Sequence, residues 1–402
     1  VKEIILINIY GEDKPGVTNV VTKVLAKHDA NILDIGQAVI HETLSLGMLV
    51  EFAGKETSDA LKEVLFAIDK KGLGVKFTPI KSNEYQHWVT GKGKHRHIIT
   101  LLARRISAEQ IAGVTGIVRA QGLNIDKIER LSGRVPLEEQ STQSSKACVE
   151  FFVSGEITNK SAVKQEFMNL ASTVGADIAF QEDNLFRRTR RLVCFDMDST
   201  LIEAEVIDEL AKAAGVGEEV SAITERAMRG EIDFVESFAQ RLALLKGLDE
   251  SVLQTIAETL PLTEGTEKLI STLKRYGFTT AILSGGFNFF GNYLQEKLGF
   301  DYVYANELEI IDGKVTGRVV GRVVDGQRKA ELLQEIAKKE GIELQQVVAV
   351  GDGANDLPML GKAGLGIAFR AKPIVKKEAD HSISTLGLDG ILYLMGYRDR
   401  EL

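Results

Sequence analysis

Apolar and polar positions in the first half of the chain change period in a repeating order. Lys2–Tyr10 is rich in isoleucine and reads as a strand. Asp13–Ala30 opens on Pro15-Gly16 and then takes a helical period. Asn31–Glu42 and Leu44–Gly54 read as strands, Thr57–Leu73 as a helix capped by Thr57 or Ser58, and Gly74–Ser82 as a closing strand. The order is β-α-β-β-α-β. A polar stretch, Ser82–His97, follows. The same order then returns: strand His97–Arg104, helix Ser107–Leu123, strands Asn124–Gly133 and Ala147–Glu156, helix Asn159–Gly175 and strand Ala176–Asp183. Asp29–Ile35 (DANILDI) aligns with Gly122–Ile128 (GLNIDKI), each between the first helix and the second strand. Arg134–Lys146 is long and polar and is expected to be a mobile loop. Each copy predicts a ferredoxin-like α+β sandwich.

From Leu192 onward the pattern is α/β. All-apolar runs, each ending in a polar cluster, predict buried parallel strands. They end at Asp196, at Ser284-Gly285-Gly286 and at Asp352. Ligands of open α/β sheets bind outside such carboxyl ends. Residues 207–260 are almost wholly helical in period and predict about four helices placed as a lid. Asp312-Gly313, between two alternating runs, predicts a hairpin.

Composition narrows the class. The chain has 402 residues, enough for two or three domains, and a formal net charge of −8. That sign argues against a nucleic-acid binder that works by neutralising phosphates. Phe186–Leu192 (FRRTRRL) is therefore expected to be a solvated linker. The two cysteines, Cys148 and Cys194, sit in apolar runs and read as core residues of a protein in a reducing compartment. The first residues turn too soon for a signal peptide, and no apolar run is long enough to span a bilayer. The expectation is a soluble cytoplasmic enzyme without membrane or nucleic-acid partners.

The polar clusters suggest a chemistry. Asp196 and Asp198 flank Met197, and Asp352 ends another strand. Such an oxygen-rich site suits Mg²⁺. Ser284 and the amides after it could donate to phosphate oxygens, and Lys329 could add positive charge. A carboxylate attacking phosphorus would give an acyl phosphate.

Asp196–Thr200 (DMDST), Ser284–Gly286, Lys329 and Gly351–Leu360 (GDGANDLPML) resemble, in that order, the haloacid dehalogenase superfamily of phosphatases. Phe195–Ala211, followed by Ala227–Arg241, is similar more narrowly to the phosphoserine phosphatases within it. The resemblance implies a Rossmann-like parallel-sheet core with a helical cap insertion. It implies Asp196 as nucleophile and Asp198 as the proton carrier. Mg²⁺ would lie on the Asp196 and Asp352 carboxylates and the Asp198 carbonyl, with Asp356 supporting them. Ser284, Gly285 and Lys329 would hold the phosphoryl group, and Asn355 would bind substrate or orient water. Glu205 and Arg241 would read the ammonium and carboxylate of O-phosphoserine, with Met228 and Phe234 as apolar walls.

Gly11–Ile32 resembles the ACT domain, an amino-acid-binding module. Carried over, Asp13, Gly16 and Asn31 would frame an effector site, usually across a subunit interface. The second copy has Ala108-Glu109 where the Pro-Gly pair would lie but keeps Asn124. The expected organisation is an ACT domain at 1–84, a second at 95–183, and a phosphatase domain at 190–402, with core 190–206 and 261–402 and cap 207–260. L-serine or another amino acid would be the effector and a homodimer the assembly. A phosphotransferase, or a phosphatase acting on another small phosphomonoester such as phosphohomoserine, stays open at this point, as does a non-enzymatic amino-acid sensor.

Overall fold

The computed structural model of the protein describes residues 2–53, 57–90, 95–134, 136, 145–229 and 231–402, without the side chains of Met228 and Phe234. The expected mobile loop at Arg134–Lys146 falls mostly outside the described residues. The chain divides into two units, Val1–Lys94 and His95–Leu402. No described helix is long and apolar enough to cross a membrane.

The first unit runs β1 (Lys2–Glu12), α1 (Val17–Lys27), β2 (Asn31–Ile40), β3 (Thr43–Ala53), α2 (Thr57–Asp69), β4 (Gly74–Ile80) and α3 (Ser82–Thr90). Its sheet has the order β2-β3-β1-β4. Ile5, Ile7 and Ile9 of β1 alternate onto one face and pack with Val17, Val21 and Leu25 of α1. Gly16 caps α1 with φ 82°, a left-handed conformation that glycine adopts without steric cost. The polar stretch after β4 is a helix, α3, and not an irregular connection. It buries no residue, so it has no apolar period to read.

The second unit opens with β5 (Arg96–Ala103), α4 (Ala108–Ala120), β6 (Asn124–Arg130), β7 (Ala147–Ser154), α5 (Lys160–Val174) and β8 (Asp177–Glu182). Its order, β6-β7-β5-β8, repeats that of the first sheet. Then come β9 (Leu192–Phe195) and four helices, α6 (Val206–Ala214), α7 (Gly217–Met228), α8 (Phe234–Ala243) and α9 (Ser251–Thr259). After them the chain alternates: α10 (Thr266–Arg275), β10 (Thr279–Phe287), α11 (Asn288–Leu298), β11 (Tyr302–Ile311), β12 (Lys314–Val320), α12 (Gly326–Lys339), β13 (Val347–Gly351), α13 (Leu357–Lys362), β14 (Leu365–Phe369), α14 (Pro373–Glu378), β15 (His381–Ile383) and α15 (Ile391–Leu394). The larger sheet has the order β12-β11-β10-β9-β13-β14-β15. Only β12 runs antiparallel to its neighbour. β9 lies between β10 and β13, where the strand order reverses, so the carboxyl ends of all three adjoin.

The smaller sheet packs onto the larger half. Leu102, Cys148 and Ala179 share a core with Leu388, Leu392 and Tyr393. Asp177 Oδ2 accepts from the Ser384 and Thr385 amides at 2.9 and 2.8 Å. The arginine run between the halves is not a solvated linker. Arg187 is 3% exposed and ion-paired to buried Glu150, and Arg190 is buried and donates to the Gln345 carbonyl. Alternate arginines turn inward because the segment lies against both halves at once. Both cysteines are buried and unbridged.

Candidate active site

Asp196 follows the last residue of β9, and its amide donates to the Val350 carbonyl of β13 at 2.9 Å. The chain then turns sharply. Ser199 takes φ 54°, and its amide closes onto the Ala204 carbonyl at 3.1 Å. This loop delivers Asp196, Asp198 and Glu205 to one cleft of about 870 Å³. Arg241 of α8, Gly285 of β10 and Asp352 and Asn355 after β13 line the same cleft. Met228 ends α7 and Phe234 opens α8, but their side chains lie outside the described residues.

Ser284 and Lys329 lie beneath the cleft, both with no exposed surface. Lys329 Nζ donates to Asp196 Oδ1 and Asp356 Oδ1, each at 2.7 Å. It stands in the first turns of α12, whose N-cap Asp325 accepts from the Arg328 amide. Ser284 Oγ accepts from the Gly286 amide at 2.9 Å. Gly286 lets the carboxylate of Asp198 approach, since a Cβ there would lie 2.5 Å from Asp198 Oδ2. Asp198 Oδ1 accepts from the Val206 amide at the start of α6 at 3.0 Å, and Oδ2 accepts no hydrogen bond among the described residues. Asp356, expected only to support the ligands, has its carboxylate in the same cluster as Asp196 and Asp352 and accepts from the Gly353 amide at 2.9 Å.

Two hydroxyls that the sequence reading left without a role each fix an acid. Thr200 Oγ1 donates to Asp352 Oδ1 at 3.2 Å, and Ser199 Oγ donates to Glu205 Oε1 at 2.7 Å. Asp208 of α6 also lines the cleft. Its place two residues into a helix that follows Glu205 was the available signal.

Negative charge exceeds positive in this cleft. Burial, then Asp356, pushes the Asp196 carboxyl well above its usual range, against the pull of Lys329. Burial, then Glu205, raises Asp198 to about 8, and burial, then Asp356, raises Asp352 to about 7. Burial, then Asp208, raises Glu205, while Ser199 and Arg241 pull it down. Burial also lowers Arg241. For Lys329 burial acts downward, but Asp196 and Asp356 outweigh it and its pKa is raised. These acids outnumber the two cations, and one oxygen each from Asp196, Asp352 and Asp356 lies within 4.8 Å of the others. An all-oxygen set carrying excess negative charge fits a hard divalent cation.

Comparison with known proteins agrees with this geometry. The family profile of the haloacid dehalogenase-like hydrolases matches residues 190–364, and that of the ACT domain matches residues 3–78. The phosphoserine phosphatase of Streptomyces coelicolor is 40% identical over 400 residues, covering 99% of this chain and 93% of the relative. That of Mycobacterium tuberculosis is 40% identical over 402 residues, covering 99% and 94%. The crystal structure of a probable phosphoserine phosphatase from Vibrio cholerae superposes with a TM-score of 0.58 at 34% identity, covering 76% of this chain and 87% of the other. The chain thus belongs to the phosphoserine phosphatase family of haloacid dehalogenase-like hydrolases, with an ACT domain at its N-terminal end.

Proposed function

We propose that the chain hydrolyses O-phospho-L-serine to L-serine and phosphate, the last step of serine biosynthesis, through an aspartyl phosphate on Asp196. The observation that carries the substrate is the placement of Glu205 and Arg241 in the cleft that also holds Asp196 and Asp198. A carboxylate matches the substrate ammonium, and a guanidinium fork matches its carboxylate. Met228 and Phe234 would supply apolar walls.

Lys329 binds Asp196 Oδ1 and leaves Oδ2 to attack phosphorus. As the new O–P bond forms, the P–O bond to serine breaks and Asp198 gives its proton to the departing oxygen. Water oriented by Asn355 then attacks phosphorus, Asp198 takes the water's proton, and the Asp196 carboxylate is regenerated. Ser284 and Gly285 would hold the phosphoryl oxygens. Mg²⁺ would sit on the Asp196 and Asp352 carboxylates and the Asp198 carbonyl, supported by Asp356, and when bound supplies positive charge for the phosphoryl oxygens.

The boundaries 1–84, 95–183 and 190–402 follow the same reading, with the second β-α-β-β-α-β unit as a second ACT domain and 207–260 as a cap that excludes water. L-serine or another amino acid would act as effector at Asp13, Gly16 and Asn31, and a homodimer would be the working assembly. A phosphate-release screen across small phosphomonoesters, with Asp196→Asn alongside, tests the core of this. Phosphoserine is expected to turn over fastest and the folded variant to be inert. A faster ester overturns the substrate, and an active variant overturns the nucleophile.

A further inference from the structure

A second cavity, of about 360 Å³, lies in the later unit and shares no lining residue with the active-site cleft. Arg104 and Arg105 after β5, Arg130 at the end of β6 and Lys146 before β7 all line it, and no acidic residue does among the described residues. Two of the four cations are neutralised from the phosphatase side. Arg104 grips Glu264 with both guanidinium arms, at 2.8 and 2.6 Å, and Lys146 is ion-paired with Asp389. The other two meet no carboxylate among the described residues. Among the described residues Arg130 donates only to the Ser132 and Gly133 carbonyls, both at 3.2 Å, and Arg105 makes no ion pair. Like charges gathered in a concavity create a positive potential that favours a counter-ion. Guanidinium forks favour a carboxylate or phosphate over a halide.

The counter-charge of Arg104 leads to the active site. Glu264 Oε2 also accepts from Arg370 Nη2 at 3.1 Å, and Arg370 Nη1 donates to Glu203 Oε1 at 3.0 Å. Glu203 belongs to the loop that carries Asp198 and Glu205, and its amide donates to the Pro261 carbonyl at 2.9 Å. Arg370 itself takes φ 44°, and its amide donates to the Ile383 carbonyl at 2.7 Å.

We propose that this cavity binds a small oxyanion, carboxylate or phosphate, and that occupancy is felt at the substrate site through Arg104, Glu264, Arg370 and Glu203. Arg104 has one guanidinium and two competing partners. An anion that draws it from Glu264 leaves Glu264 to Arg370 alone and loosens the hold of Arg370 on Glu203. That exchange is a discrete two-state element that both sites bias. The activity readout rests on the phosphoserine reading; the binding readout does not.

The test is calorimetric titration of the full chain with malonate, and in a second arm with inorganic phosphate. The Arg105→Ala/Arg130→Ala and Arg104→Ala variants run alongside, their folding checked by melting. Heat that the double substitution removes, in either arm, is the expected result, and the arm in which it occurs tells carboxylate from phosphate. Saturating ligand from that arm is further expected to shift the KM for phosphoserine about fivefold more in the wild type than in Arg104→Ala, competition by phosphate as product being common to both. Absence of heat in both arms, or heat that the double substitution leaves unchanged in both, overturns the site; phosphate bound at the active site as product is common to wild type and variant and drops out of that difference. Binding with the same KM response in wild type and Arg104→Ala overturns the relay. A chain that binds the anion but does not hydrolyse phosphoserine would fault the functional reading and leave the site standing.

Discussion

The Ser199 hydroxyl donates to Glu205 Oε1 at 2.7 Å from a backbone held at φ 54°. The turn that separates the two catalytic candidates from Glu205 thereby also aims that acid. Ser199→Ala keeps the turn and frees Glu205. The loss of a hydrogen bond to a charged group is worth roughly 1.5–3 kcal/mol. The KM for phosphoserine is expected to rise tenfold or more, by about the factor that energy implies, with kcat nearly unchanged. Steady-state kinetics check this, and a fall in kcat at constant KM would contradict it.

Lys329 is the buried counter-ion of Asp196 and Asp356. Lys329→Met leaves both carboxylates without it, a change that costs roughly 3–5 kcal/mol when a buried pair loses one partner. The melting temperature is expected to fall, and added Mg²⁺ to restore part of it, since a cation relieves the same excess. Melting curves with and without Mg²⁺ measure both effects. A variant as stable as the wild type without metal would show that Lys329 does not balance these acids.

Arg187 and Glu150 form a buried pair between the second small sheet and the phosphatase half, and Thr100 donates to Glu150 at 3.1 Å. Glu150→Leu alone strands a buried guanidinium and is expected to destabilise by about 3–5 kcal/mol. Adding Arg187→Met should recover most of that, because the desolvation cost leaves with the charges. Denaturant unfolding of the single and double variants reads the difference.

Burial holds the His381 imidazole down at about 4, with Lys164 and Arg190 adding to the shift and Asp380 opposing it. A histidine depressed in the folded state contributes stability that is complete above its unfolded value of 6.5 and is lost as pH falls towards 4. The loss across that window is up to roughly 3 kcal/mol. His97, lowered mainly by burial, acts in the same sense, whereas Glu150 and Asp177, raised mainly by burial, act in the opposite one. The informative quantity is therefore the difference between wild type and His381→Gln. Their unfolding free energies should converge between pH 6.5 and pH 4. Parallel curves would place the titration elsewhere.

Both small sheets, the four helices after β9 and the meeting of the strand ends at Asp196, Ser284 and Asp352 follow from periodicity, which local sequence carries. Pairwise burial does not. Lys329 alone looks like any helix lysine, because its partner Asp196 lies 133 positions away. Arg187 looks solvated until Glu150 is brought against it. Thr200 sits inside a motif that is legible, yet its partner Asp352 lies 152 positions on. The short strands β14 and β15 and helix α3, which has no buried residue, escaped for a different reason. A run of five or three residues, or a helix that buries none, leaves too little pattern to read.

The crossover through α1 has a consequence for any ligand of the first sheet. β1 and β2 both pair antiparallel with β3, so Asp13 and Gly16 lie past the end of the sheet near Glu12, while Asn31 lies at the other end, level with Glu51 and Ile4. Roughly 25 Å of strand separates them. A molecule the size of an amino acid cannot touch all three on one sheet. An effector read by all three would have to act as a staple between two sheets, each giving a different end. If the second sheet comes from a partner chain, the ligand counts chains as well as sites, and its apparent affinity weakens as the protein is diluted.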